Sequence, residues 1–388
     1  WPYWHTSRNN TYQPKSLNSM KLNRFAFYLG FSFLFILNSC TTPATDKAHR
    51  ENTTKPAKNI ILMIGDGMSY AQIEGTENAI GKQLAMSKLP VSGTITTHSA
   101  DKRITDSGAG GTAIATGFKT NNGMIGMKAD STAVPSMLEL FAEDGKQTAI
   151  VVSCGITHAT PASFVAKDIN RNNYEAIAKD IAESENLNYF IGGARKHFVD
   201  REDNKNLLDE MTAKGWQFFN AFEDAQFNTS NNAAVFTADE HPDAIKDGRS
   251  DYLAKGSAKL LETMSKQAEK GFFMMVEGSQ IDWAGHANDS AYLVTEMIDF
   301  DNAVKAAIDF ADRDGETLVV ITADHETGGL TIINGREKDY SSVRFNFSTG
   351  NHTSVTVPVF AYGPGSEYFT GVYDNTEIFY KILKATGK

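Results

Sequence analysis

Ser107 stands in the segment Thr105-Asp106-Ser107-Gly108-Ala109-Gly110-Gly111-Thr112, where small residues follow a hydroxyl at the expected start of a helix. A hydroxyl in that place sits at the positive end of the helix dipole, beside backbone N–H groups able to meet a phosphate. The same residues also read as an N-cap serine in a glycine-rich turn, and the segment alone does not separate the two. Asp282 and His286 stand four apart, so on a helix they share a face and could grip one ion. With His352 they would form a mixed nitrogen and oxygen set that suits zinc and leaves a position for substrate or water. An exposed polar helix face accounts for the pair equally well.

These residues need elements to hold them. Apolar runs at Ile60–Ile64, Thr148–Val152, Phe272–Val276 and Leu318–Ile321 are continuous rather than alternating, which predicts strands covered on both faces in a parallel sheet. A fifth run, Val357–Ala361, contains Pro358 and is expected at a sheet edge. Helices are expected over 107–117, 134–144, 174–185, 204–214, 251–270 and 289–312, and an antiparallel excursion over 330–350 with a turn at Gly335-Arg336. The alternation predicts one large α/β domain over 59–388: a mostly parallel open sheet with helices on both faces. In such sheets sites form beyond the carboxyl ends of strands. Asp66, Glu277 and Asp324-His325 each follow a predicted strand, His158 and Thr160 lie shortly after one, and His352 precedes the fifth. That gathering is what one chance match would not give.

In order along the chain, Gly65-Asp66-Gly67-Met68, Thr105-Asp106-Ser107 with Thr112-Ala113, His158-Ala159-Thr160-Pro161, Arg171, Ile191-Gly192-Gly193, Val276-Glu277-Gly278 with Asp282 and His286, Thr322-Ala323-Asp324-His325, and His352-Thr353 resemble the alkaline phosphatases. The resemblance implies that family's three-layer sandwich and hydrolysis of phosphate monoesters through a phosphoserine at Ser107. It implies one zinc held by Asp282, His286 and His352, and a second held by Asp66, Asp324, His325 and the Ser107 oxygen. A third ion, magnesium by default, would be held by Asp66, Thr160 and Glu277. Arg171 would clamp two phosphate oxygens, with Asp106 orienting it. Three divalent ions contribute about +6 and the four carboxylates about −4; a Ser107 alkoxide and Arg171 then leave about +2, which matches a monoester dianion.

The resemblance is imperfect at two variable positions. His158 stands where the best-known bacterial members carry aspartate, and Trp283, directly after a zinc ligand, where lysine is frequent. His158 is expected close to the third ion without binding it, an added nitrogen that opens the site to zinc or cobalt. Among rivals, a sulfatase would carry a proline two residues after its Cys or Ser, which Ser107-Gly108-Ala109 does not. Diesterases resembling this fold generally use threonine and lack the third-metal set. A lipid-anchored phosphate-binding protein without turnover would not need Ser107 and Arg171 beside three ion sites.

Of the 388 residues, 41% are hydrophobic and 22% charged, ordinary for a globular chain, and the formal charge of −10 argues against a nucleic-acid surface. Residues 1–19 read as leader sequence outside the fold. From Met20, Lys21 and Arg24 precede an apolar run, Phe25–Leu37, too short to span a bilayer, which reaches Leu37-Asn38-Ser39-Cys40. That resembles a lipobox in which Cys40 becomes the lipidated first residue, so 20–40 is expected to be a lipoprotein signal peptide. Residues 41–58 are then expected to form a flexible tether, and the protein to be exported to the periplasm or anchored at the outer membrane. Any membrane contact runs through that lipid. Homodimers are common among relatives, but no interface is legible. With Cys40 lipidated, Cys154 has no partner for a disulfide.

Overall fold

The computed structural model describes residues 55–228, 231–333 and 343–388. The leader, the signal peptide with Cys40, most of the tether and the Gly335-Arg336 turn lie outside them. Ala57 and Lys58, at the end of the expected tether, donate backbone hydrogen bonds to Ala385 and Glu316. No helix of the described residues is long and apolar enough to cross a membrane.

Fourteen strands are present among those residues: β1 (Asn59–Gly65), β2 (Val91–Thr96), β3 (Gln147–Gly155), β4 (Tyr189–Gly193), β5 (Gln217–Phe219), β6 (Ala233–Phe236), β7 (Phe272–Gly278), β8 (Thr317–Thr322), β9 (Glu326–Thr327), β10 (Leu330–Ile333), β11 (Arg344–Phe347), β12 (His352–Thr353), β13 (Val357–Tyr362) and β14 (Gly371–Asp374). Ten of them make one sheet in the order β14-β2-β13-β8-β1-β7-β3-β4-β6-β5. Every residue of β1, β7 and β8 is buried, as continuous apolar runs require, so both faces of the sheet centre are covered.

The helices are α1 (Tyr70–Ile80), α2 (Ser107–Thr116), α3 (Met137–Glu143), α4 (Ala159–Ala162), α5 (Tyr174–Glu183), α6 (Lys196–Val199), α7 (Leu207–Ala213), α8 (Tyr252–Gln267), α9 (Gln280–Ala287), α10 (Ser290–Asp314) and α11 (Glu377–Ala385). Helices α8 and α10 pack on each other and on the central strands, while α3 packs on β3, β7 and α2, and α2 meets α11. All six expected helices form. Helices α1, α4, α6 and α11, and strands β2, β4, β5, β6, β9, β12 and β14, carry no expectation from the sequence. Strands β10 and β11 pair antiparallel, as expected of the excursion after residue 330.

The fifth strand departs from expectation. β13 is an interior strand, antiparallel to β2 on one side and to β8 on the other. Pro358 is tolerated because pairing with β8 starts only at Phe360. On that side the Thr322 hydroxyl donates to the Pro358 carbonyl at 2.9 Å, so the missing N–H removes no rung of the β8 ladder.

Candidate metal centre and active site

Asp106 accepts from Ala109 N at 2.9 Å and caps α2, so Ser107 is the first helical residue rather than the cap. Its other carboxylate oxygen accepts from Gly123 N and from Arg171 Nη1, each at 3.0 Å. Burial acts to lower the Arg171 pKa, but Asp106 outweighs it and the guanidinium stays charged. Glycines let α2 approach the strand ends: a Cβ at Gly110 would lie 2.9 Å from the Asp324 carbonyl oxygen. At Gly67, with φ +74°, a Cβ would lie 2.8 Å from Asp282 Cα, so the chain leaving β1 passes against α9 only because the residue is glycine.

Asp66 follows β1 and Asp324-His325 follows β8, while Glu277 lies inside β7 at its next-to-last position. His325 Nε2 is 3.2 Å from Ser107 Oγ, 3.3 Å from Asp66 Oδ1 and 3.5 Å from Asp324 Oδ2. Beside it, His286 Nε2 is 3.1 Å from His352 Nε2 and 3.3 Å from Asp282 Oδ2, and His352 Nε2 is 3.4 Å from Asp282 Oδ1. Their outer nitrogens are held by backbone oxygens, His286 Nδ1 by Gly350 at 2.8 Å and His352 Nδ1 by Thr105 at 2.9 Å. The His325 and His352 rings stack with centroids 3.6 Å apart. Thr160 Oγ1 lies 3.5 Å from Asp66 Oδ2. Thus all the ligand candidates come together, as two adjoining groups with Ser107 at their edge, and Thr160 and Glu277 behind Asp66.

The electrostatics are those of a site built for cations. Among the described residues Asp66 Oδ1, Asp324 Oδ2, Glu277 Oε1 and His158 Nδ1 are buried with no hydrogen-bond partner. Burial pushes Asp324 up to about 7 and Glu277 up to about 8, and Asp66 well above the usual carboxylate range, with neighbouring carboxylates adding to the rise for all three. Burial opposes ionisation of Asp282 too, but hydrogen bonds from His286 and His352 hold it well below that range. The Asp282 bond in turn raises His286 to about 9. Burial holds His325 well below the usual imidazole value, hence neutral with a free lone pair. Clustered buried carboxylates with orphaned oxygens are costly unless a cation neutralises them. The donor set of Asp282, His286 and His352, and that of Asp66, Asp324 and His325, fit divalent ions of the zinc class.

A sequence model of the family described as Alkaline phosphatase matches residues 57–346. The chain belongs to the alkaline phosphatase family. It is 32% identical to alkaline phosphatase 3 of Bacillus subtilis, across 94% of this chain and 96% of that one. The structure of alkaline phosphatase from the Antarctic bacterium TAB5 is similar with a TM-score of 0.81 and 41% identity, over 86% of this chain and 99% of that one. A histidine-to-glutamate mutant of the TAB5 enzyme, similar with a TM-score of 0.80 and 41% identity over 86% of this chain and 99% of that one, has Mg bound in its M3 site. The chain is therefore a metal-binding phosphatase acting on phosphate monoesters.

Three side chains of the site carried no signal in the sequence. Thr327 donates to Asp282 Oδ1 and lies 3.2 Å from His325 Nδ1, tying the two ligand groups together. His241 accepts the Gly155 N–H at 2.9 Å on Nδ1 and meets Trp283 edge-on at 4.8 Å. Cys154 lies at the end of β3, its Sγ 3.6 Å from Glu277 Oε2. His158 and Trp283, the two variable positions, face each other edge-on with ring centroids 6.0 Å apart. No threonine or histidine pattern of fixed spacing marks these positions, so only the folded chain could bring them in.

Proposed function

We propose that the chain hydrolyses phosphate monoesters through a phosphoserine at Ser107 on a two-zinc site backed by a third ion, and that it does so after export, scavenging phosphate. The reading rests on one observation above the rest: Ser107 Oγ projects from the start of α2 to within 3.2 Å of His325 Nε2, beside buried carboxylates without partners.

Asp282, His286 and His352 would hold one zinc, Asp66, Asp324 and His325 the other, with Ser107 Oγ joining it, and Asp66, Thr160 and Glu277 the third ion. Bound there, divalent ions would lower the pKa of the serine hydroxyl and of water and offset charge on the phosphoryl oxygens. Ser107 Oγ attacks phosphorus in line with the leaving oxygen; its proton passes to solvent, the phosphorus–oxygen bond to the alcohol breaks, and that oxygen is protonated. Water then attacks the phosphoserine from the side the alcohol left, releasing phosphate and restoring Ser107. Two in-line displacements give net retention at phosphorus. Arg171, aimed by Asp106, holds two nonbridging oxygens through its planar fork. Trp283 occupies a place where a lysine would add a cation, which favours phosphate release.

Most binding falls on the phosphoryl group, so leaving-group tolerance is broad. A chromogenic phosphate monoester is expected to be hydrolysed faster than the matching diester by at least about 10²-fold, the size attached to one misplaced electrostatic contact. Preference for the diester would sink the assignment. Arg171→Ala is expected to raise KM for the monoester and lower kcat/KM by roughly 10²–10³-fold, since a charge-assisted bidentate contact is lost in a buried site. Unchanged kcat/KM would remove Arg171 from the phosphate contact. Export and the lipid at Cys40 are tested by following globomycin-sensitive processing and membrane fractionation of the full chain; a fully soluble, unprocessed protein would overturn the anchor.

A further inference from the structure

The end of β3 and the next-to-last residue of β7 lie side by side, with Val152 in register with Glu277. Two residues past Val152, Cys154 turns its Sγ toward Glu277 Oε2 at 3.6 Å. The chain then folds back, His158 N donating to the Gly155 carbonyl at 2.9 Å, which returns the His158 imidazole over the same spot. One ligand atom from each of Cys154, His158 and Glu277 lies within 4.8 Å of the others. Cys154 and Glu277 are wholly buried and His158 is 8% exposed.

We propose that Cys154, His158 and Glu277 form a metal site of sulfur, nitrogen and oxygen donors that takes zinc or another borderline transition ion in preference to magnesium. The proposal rests on the three-ion reading above; it keeps Glu277 at the third position and puts Cys154 and His158 in place of Asp66 and Thr160 as its other donors. Hydrogen bonding inside the cluster does not account for it, because among the described residues His158 Nδ1 and Glu277 Oε1 have no hydrogen-bond partner, although Ser279 and Thr160 lie near the Glu277 carboxylate. Buried polar atoms are nearly always paired, and a lone pair and a carboxylate oxygen left over beside a thiol are donors waiting for a cation. Edge-on contacts with Trp283 at 6.0 Å and His241 at 5.8 Å fix the plane of the His158 ring. His241 is itself oriented, since the Gly155 N–H can only donate to its Nδ1. Magnesium demands a near-octahedral oxygen shell, whereas thiolate and imidazole select zinc and its neighbours. Zinc bonds of about 2.0–2.3 Å need donors roughly 3.3–3.8 Å apart in a tetrahedron, a modest closure of this cluster. On binding, the sulfur–metal bond forms as the Cys154 thiol proton leaves to solvent; no electron is transferred.

Cobalt(II) titration of the chelator-stripped full chain tests this, in a Cys40→Ser background so that Cys154 is the sole thiol. The expected result is a near-ultraviolet thiolate-to-cobalt charge-transfer band, complete by three bound ions per chain. The band should be absent once Cys154→Ser is added. Under excess magnesium the parent protein should retain three zinc ions and the Cys154→Ser protein two, a loss of at least about 10-fold in third-site affinity. No thiolate band at three bound cobalt ions overturns the proposal, and that measurement keeps Cys154, so misfolding of the serine variant cannot mask it. Magnesium displacing the third zinc from the parent protein also overturns it. Monoester hydrolysis without the band leaves the phosphatase reading standing and removes only Cys154; the band without hydrolysis does the reverse.

Discussion

Ser107→Ala is expected to lower monoester hydrolysis by at least about 10³-fold, the scale on which losing a covalent nucleophile leaves only binding and electrostatic catalysis. Ser107 is the first residue of α2 and is buried, but the cap that satisfies the helix start is Asp106, which keeps its bonds to Ala109 N and Gly123 N in the variant. Alanine has the best helix propensity, and only one hydroxyl is removed, so Tm should shift by no more than about 2 °C. The separation of the two readouts carries the assignment. A serine acting only as a helix-start residue would cost stability and spare turnover. Acid quench of the wild-type enzyme during turnover should leave label from the phosphoryl group on Ser107 and nowhere else. Full activity in the alanine protein, or label on another residue, would dismiss Ser107 as the nucleophile.

Stripping the metals is expected to abolish hydrolysis and to lower Tm by on the order of 10–20 °C. An ion held at 1,000 times its Kd contributes about 4 kcal/mol, and a large domain loses roughly 2 °C per kcal/mol. The pH dependence of the stripped protein is the more specific result. Asp324 near 7, Glu277 near 8 and Asp66 well above its ordinary range all take up protons on folding without metal. Above about pH 6.5, where His158 and His325, kept neutral by burial, are neutral in the unfolded chain as well, the folded state binds more protons than the unfolded chain, so stability falls as pH rises. Below that pH the buried imidazoles offset the carboxyls; above it the fall runs through the titration of Asp324 near 7 and Glu277 near 8. With metals bound the carboxylates are ionised and neutralised, and Tm should be nearly flat over the same window. Differential scanning at several pH values with and without chelator checks this. A stripped protein that gained stability from pH 6.5 to 8 would mean that these carboxylates are paired by something other than metal.

Much of the architecture was legible in the chain because its physical cause is local. Ile60–Ile64, Phe272–Val276 and Leu318–Ile321 are continuous apolar runs, and only strands buried on both faces suit them. Short strands such as β5 and β14, half-exposed at the sheet's two edges, carry no such signal, and their pairing is decided by neighbours. The proline in β13 misled for a related reason. Its penalty depends on whether the missing N–H faces a ladder, and that depends on where pairing with β8 begins.

For the site, the sequence by itself determined the donor types, the i, i+4 pair on α9, the carboxylates and histidine at strand ends, and a serine at the head of a glycine-rich helix. Each follows from spacing along one element. Only the tertiary structure decided how they meet. His352 precedes its strand rather than following it, yet it joins the others because β13 runs antiparallel to β8, which puts the start of β13 at the carboxyl ends of the parallel strands. The two-residue ladder of β9 with β12 then sets His352 opposite Thr327, two residues beyond His325, and stacks the imidazoles. Cys154, which the sequence offered only as a thiol without a disulfide partner, sits beside Glu277 because β3 and β7 are adjacent in register. Strand adjacency is fixed by burial summed over the whole sheet, and no stretch of the chain carries that sum alone.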